Sequence, residues 1–145
     1  MSAPKPHIND QNRQIIEQFR ANGGRSTGGG EESIVLLTHT GRKSGRSYTN
    51  PLACVADGDD LIIAGTKGGT PTHPEWYLNL VANPIVTVEW DGQKYSAEAQ
   101  TVPASPERDR LIGLLSVALP KLPRYEEKTA GVREIPIIRL IRNAD

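Results

Sequence analysis

From Thr40 to Pro51 the chain reads Thr-Gly-Arg-Lys-Ser-Gly-Arg-Ser-Tyr-Thr-Asn-Pro, so Arg42, Lys43 and Arg46 sit among two glycines and several hydroxyls. Bare backbone N–H groups approach a ligand closely at glycine, while Lys and Arg add charge and directed donors. The chemistry such a turn offers is a grip on an anion. The plainer reading is a solvated hairpin tip whose cations keep an edge soluble. A second cluster, Gly65-Thr66-Lys67-Gly68-Gly69, precedes Pro74, which suits the first turn of a helix. A Lys flanked by glycines leaves backbone open to a planar ligand, and a helix start adds partial positive charge. A ligand with a planar body and an anionic arm would use both loops; a flexible surface loop is the alternative.

On the helix after Pro74, Trp76 and Asn79 share one face and Tyr77 and Leu80 another. One pair is expected to pack on the core and the other to face a pocket. Tyr125 lies in Arg124-Tyr125-Glu126-Glu127-Lys128-Thr129, read as a loop, where a phenol can donate a proton or close a site. His7, His39 and His73 are too far apart in sequence for a metal site. His39 is read as ending a strand beside the basic turn. Neither a Ser-His-Asp order nor a carboxylate pair stands out. Cys54, the single cysteine, lies in an apolar run and reads as a small core residue.

These residues need a scaffold. At 145 residues the chain is long enough for one domain with a real core, and its formal net charge is zero. Without a long-range field, anion recognition must be local, and a nucleic-acid partner is not expected. The start of the chain, Met-Ser-Ala-Pro-Lys-Pro, lacks an apolar signal segment, and no run approaches membrane-spanning length, so a cytoplasmic protein is expected.

Asn9 or Asp10 is expected to cap a helix ending at Asn22-Gly23-Gly24, and residues 23–30 read as a Gly-rich linker. They hold neither dinucleotide nor Walker patterns. Residues 1–30 are therefore set apart as an N-terminal extension from a domain spanning 31–145. Strands are expected at Ser33–His39, Ser47–Ala56, Asp60–Gly65, Ile85–Trp90, Gln93–Val102 and Arg133–Ile141, the last interrupted by Pro136. Asp57-Gly58-Asp59 and Asp91-Gly92 mark tight turns. Helices are expected from Pro74 to Val81 and from Ser105 towards Pro120. About six mostly hairpin-linked strands with flanking helices predict a mainly β, α+β architecture: a small antiparallel barrel.

Taken together, three segments resemble the deazaflavin-dependent nitroreductase family of actinobacteria. The first is Thr40–Gly45 with Asn50-Pro51-Leu52. The second is Lys67-Gly68-Gly69 with Pro74, Trp76-Tyr77-Leu78-Asn79-Leu80 and Ala82-Asn83-Pro84. The third is Tyr125-Glu126, Lys128-Thr129, Arg133 and Ile135-Pro136. They occur in order from about Ser33 to the C-terminus. The resemblance implies a split β-barrel of the FMN-binding type and coenzyme F420, a deazaflavin with a phosphate and an acidic oligoglutamate tail.

It places phosphate and tail against Arg42, Lys43, Ser44, Gly45 and Arg46, and the ring near Pro51, Thr66, Lys67, Gly68, Trp76 and Asn79. Tyr48, Ala64, Gly65 and Tyr77 complete the coenzyme set, and Tyr125 is the implied proton donor or lid. The sequence departs from nitroimidazole-reducing members where their tyrosines fall on Leu119 and Leu122, which points to a more apolar acceptor pocket around Leu119, Leu122 and Tyr125. Tyr48 stands where a basic residue is common.

The implied activity is hydride transfer from reduced F420 to an activated C=C bond (enone or lactone) or a quinone, with nitro compounds in scope. The alternatives are a non-catalytic F420 carrier and an FMN-binding split-barrel oxidase. The implied partners are a small-molecule acceptor and at most peripheral membrane contact, with the protein a monomer or dimer.

Overall fold

Two short apolar runs, Ile34–Leu37 and Leu61–Ile63, show how the chain layers itself. Val35 and Leu37 point into one core and Leu36 into another; Leu61 and Ile63 point inward while Ile62 faces out. Strands covered on both faces read as continuous apolar runs rather than alternating ones. The computed structural model describes residues 10–24 and 33–143.

The elements are α1 (Asp10–Ala21), β1 (Ser33–Thr40), β2 (Ser47–Asp57), β3 (Asp60–Ala64), a 3-10 turn (Lys67–Gly69), α2 (Glu75–Ala82), β4 (Ile85–Trp90), β5 (Gln93–Thr101), α3 (Pro106–Ala118), α4 (Leu122–Thr129) and β6 (Ile137–Arg142). The six strands close into an antiparallel barrel in the order β1-β2-β3-β6-β5-β4. This is the expected fold class. The Gly-rich stretch at residues 25–30 and the lead-in at 1–9 lie outside the described residues.

The barrel interior holds Val35, Leu37, Leu61, Ile63, Val86, Val88, Ile138 and Leu140, with Trp76 and Leu80 of α2 packed into the same core. Outside, Leu111 and Leu115 of α3 and Leu122 of α4 pack on Ile62, Ile135 and Ile137. On the opposite flank, α1 buries Ile16 and Phe19 against Leu36. Truncating one of these fully buried leucines to Ala costs about 2–5 kcal/mol.

The barrel is split along β2. Residues Ser33–Thr40 of β1 pair with Ser47–Cys54, but β3 pairs only with Val55–Asp57. One edge of β2 from Ser47 to Cys54 therefore has no partner strand among the described residues, and Pro51 sits in it. A proline inside a strand is tolerated at such an edge because no ladder needs its missing N–H.

Three expectations change. The last strand starts at Ile137 rather than Arg133. Pro136 ends an irregular segment whose carbonyl accepts from Gly65 N at 2.9 Å. The segment around Tyr125 is a helix, not a loop, with Pro123 in its first turn. Leu122 is fully buried among Leu111, Leu115 and Ile137, so it does not line an open acceptor pocket.

Candidate functional site

The basic turn is stiffened from within. Gly41 N donates to Arg46 O at 2.8 Å and Gly45 N to Gly41 O at 2.9 Å. Ser44 Oγ lies 2.9 Å from Tyr48 Oη and accepts from Arg46 N at 3.2 Å. A Cβ on Gly41 would meet Ser44 Oγ at 2.5 Å and Tyr48 Cε2 at 2.8 Å, so any larger residue would force both side chains to shift. Gly45, at φ +72, has open space around it. The turn leaves the exposed side chains of Lys43 and Arg46 without a hydrogen bond or ion pair among the described residues.

Arg42 behaves differently. Its guanidinium donates to Glu75 at 2.6 Å, and its backbone N–H donates to Asn79 Oδ1 at 3.0 Å. Both acceptors belong to α2, so the basic turn is fastened to that helix.

Beneath the turn lies a polar plug at the mouth of the barrel. His39 continues the inward face of Val35 and Leu37 and is 4% exposed. Its Nε2 lies 2.7 Å from Asn50 Oδ1, and its Nδ1 lies 3.1 Å from Asn79 Nδ2. Burial pushes the His39 pKa below the ordinary imidazole value, and the Asn50 hydrogen bond opposes this only in part. A neutral imidazole bridging two amides is the consistent state.

The second loop converges on the same place. Glu75 is held below the usual carboxylate range, first by its hydrogen bond from Arg42 and also by the charges of Lys43 and Lys67. One carboxylate thus senses cations from both loops. Lys67 takes φ +43 and Gly68 φ +65, a left-handed pair in which glycine is at ease and lysine is strained. Lys67 Nζ donates to Thr72 Oγ1 at 3.1 Å. Gly65 lies against Pro136, where a Cβ would come within 2.8 Å of Cγ. Ala64 ends β3 opposite Ile137.

Of the α2 residues, Trp76, Asn79 and Leu80 are all buried. The expected division of two pairs between core and pocket does not hold: Trp76 and Leu80 share the barrel core, and Asn79 joins the plug. Tyr77 packs edge-on against His73 at 5.1 Å, and its hydroxyl lies 3.1 Å from Thr101 Oγ1. Pro51 pairs with Leu36 of β1, in the stretch of β2 whose other edge has no partner strand among the described residues.

α4 rests directly on the second loop. A Cβ at Gly69, φ +76, would stand 3.1 Å from both Tyr125 Cδ1 and Lys128 Cδ. Tyr125 is half-buried at the margin of the outer core. The fold therefore assembles Arg42–Arg46, Thr66–Gly68, Glu75, Asn79 and Tyr125 from four separate segments. His39 and Asn50 were not among the sequence candidates, although the inward period of β1 from Val35 through Leu37 reaches His39.

The donor set suits a ligand with a flat body and an anionic arm. Two free cations flank open backbone at Gly45, and Thr66, Lys67 and Gly68 offer backbone N–H groups without acceptors among the described residues. A cavity of about 730 Å³ between Asp60, Trp90, Tyr95 and Arg142 lies at the far end of the barrel, by the β2–β3 and β4–β5 hairpins, and shares no residue with this set.

Residues 11–141 match the family model of the F420H(2)-dependent quinone reductases. An F420H(2)-dependent quinone reductase of Mycobacterium tuberculosis is 33% identical over 115 residues, covering 78% of this chain and 76% of its own length. A solved F420-H2 dependent reductase superposes with a TM-score of 0.68 at 35% identity, over 74% of this chain and 93% of the other. HutZ, a heme storage protein from Vibrio cholerae, shares only the fold, with a TM-score of 0.58 at 14% identity over 92% of each chain.

Proposed function

The chain belongs to the F420H(2)-dependent quinone reductase family, and on that premise we propose that it reduces quinones with reduced coenzyme F420 bound across the two basic loops. The observation that carries the site assignment is the convergence of both loops on Glu75, which Arg42 hydrogen-bonds and which feels the charges of Lys43 and Lys67, while the exposed side chains of Lys43 and Arg46 have no hydrogen-bond or ion-pair partner among the described residues. In this reading Lys43, Arg46, Ser44 and Gly45 take the phosphate and acidic tail. Arg42 is committed to Glu75 and Asn79, so it shapes the turn more than it binds. The bare backbone of Thr66–Gly68 takes the ring, with Pro51 on the open edge of β2 and Trp76 supporting α2 from below.

When bound, the reduced deazaflavin supplies a hydride from its ring C5. Two-electron reduction of a quinone to the hydroquinone needs that hydride and one further proton. Tyr125 on α4 is the proposed source of this proton or the side chain that shields the acceptor, with water as the alternative donor. The chain's other contribution is orientation: rigid loops fix the donor face against the acceptor.

The test is direct. The purified protein is mixed with reduced F420 and a small quinone such as menadione, and recovery of the oxidised ring's visible absorbance is followed. Enones, lactones and nitro compounds are run in parallel to define acceptor scope. Quinone-dependent oxidation above the uncatalysed rate supports the reading. Tight coenzyme binding with no acceptor reduced leaves a carrier, and preferential binding of FMN overturns the coenzyme assignment.

A further inference from the structure

Arg133 has an unusual set of partners. Its Nε donates to Thr70 O at 2.9 Å, Nη1 to Gly65 O at 3.0 Å, and Nη2 to Thr66 O at 2.8 Å. Nη1 also lies 3.0 Å from His73 Nδ1. All four partners are neutral and all belong to the segment Gly65–His73. A half-buried guanidinium engaged only by carbonyls and an imidazole organises backbone rather than balancing a carboxylate.

The peptide units involved matter. The structure contains no cis peptide bond among its described residues. In a trans unit the N–H points opposite to the C=O. The Gly65 carbonyl shares its unit with Thr66 N–H, and the Thr66 carbonyl shares its unit with Lys67 N–H. By drawing both carbonyls towards itself, Arg133 turns both N–H groups away, and neither has an acceptor among the described residues. A hydrogen bond at the carbonyl end of an amide also makes its N–H a stronger donor.

Arg133 is itself anchored. Its N–H donates to Thr129 O at 3.0 Å. Two residues on, Ile135 O accepts from the buried Arg108 Nη2 at 2.8 Å, and Pro136 O accepts from Gly65 N at 2.9 Å.

We infer that Arg133 is a positioning residue for the coenzyme ring: it presents the Thr66 and Lys67 N–H groups as a paired donor for a carbonyl oxygen of that ring. The inference rests on the proposed F420 site. It assigns Arg133 no contact with the coenzyme; the effect passes through two peptide units. Lysine cannot replace it, because one ammonium cannot span three carbonyls in the fixed fork that guanidinium provides.

The experiment combines variants with a measurement on the unaltered protein. Arg133→Lys is expected to weaken coenzyme binding about tenfold, with the quinone KM unchanged. In Arg133→Ala, added guanidinium is expected to restore coenzyme affinity, whereas sodium chloride of equal ionic strength is not. In the wild-type protein, coenzyme titration followed by amide-resolved NMR is expected to move the Thr66 and Lys67 N–H protons downfield. This last readout stands even where a variant fails to fold. Coenzyme binding that leaves both amides unmoved, or wild-type affinity in Arg133→Lys, overturns the inference while leaving the F420 reading intact. No coenzyme binding by the wild-type protein overturns both.

Discussion

The Arg42 backbone N–H fixes the tautomer of His39. That N–H can only donate, so the Asn79 oxygen must face it, at 3.0 Å. The Asn79 amide nitrogen then faces His39 Nδ1 at 3.1 Å, which makes Nδ1 the acceptor. The ring proton is left on Nε2, where it donates to Asn50 Oδ1 at 2.7 Å. One chain of donors thus links the basic turn, α2, β1 and β2.

Breaking that chain at its centre strands two groups. Asn79→Ala leaves His39 Nδ1 without a donor and Arg42 N–H without an acceptor. The buried His39 Nδ1 costs about 1–3 kcal/mol when stranded and the lost bond of the part-buried Arg42 N–H about 1 kcal/mol more, so a loss of about 2–4 kcal/mol is expected. Chemical denaturation measures it. Coenzyme affinity should fall as well, because the turn keeps its side-chain tie to Glu75 but loses its backbone tie to α2.

The same network gives stability a pH dependence of definite sign. Burial holds the folded His39 pKa below the ordinary imidazole value of about 6.5, so the native state resists a proton that the unfolded chain accepts. Its stabilising contribution is complete above about pH 6.5 and is lost as pH falls below it. Thermal melts from neutral pH downwards should show this loss, and a His39→Gln variant should show a flatter profile.

Lys43 and Arg46 carry the electrostatic part of the proposed coenzyme grip. The double change Lys43→Ala, Arg46→Ala should weaken F420 binding about ten- to a hundredfold at low salt and flatten its salt dependence. Folding should be unaffected, since neither side chain has a hydrogen-bond or ion-pair partner among the described residues. An unchanged affinity would remove the turn from the site.

Gly69→Ala should cost about 1–3 kcal/mol, because φ +76 is unfavourable for alanine and the new methyl meets Tyr125 and Lys128 at 3.1 Å. The variant should also loosen α4, seen as faster amide exchange in Leu122–Thr129.

Tyr125→Phe separates the two roles proposed for that side chain. A proton-donor role predicts that kcat falls at least about tenfold with unchanged melting temperature and coenzyme affinity. An unchanged kcat assigns Tyr125 to shielding, and water then supplies the proton.

Much of the scaffold was legible because strands and turns are local signals. The hairpins at Asp57–Asp60 and Asp91-Gly92, the Ser105 cap and the apolar runs each lie within a few residues. The position of α4 was not legible. Pro120 and Pro123 bracket its start and read as breakers, while the spacing of Leu122, Tyr125 and Thr129 is a helical period too brief to outweigh them. The site divides in the same way. Both basic loops are visible as composition, but the plug depends on residues distant in sequence, with His39 and Asn79 forty positions apart. Arg133 likewise reaches back more than sixty positions to Gly65 and Thr66. Such pairings are fixed by barrel closure, which no local window contains.

The open edge of β2 bears on how the molecule behaves in a crowd. An unpaired strand edge is a template on which a second chain can add, and sheets grow into aggregates from such places. Here Pro51 removes a donor midway along the edge between Ser47 and Cys54. An incoming strand could not complete its ladder past that point. The proline that suits this strand to an edge thereby also limits self-assembly.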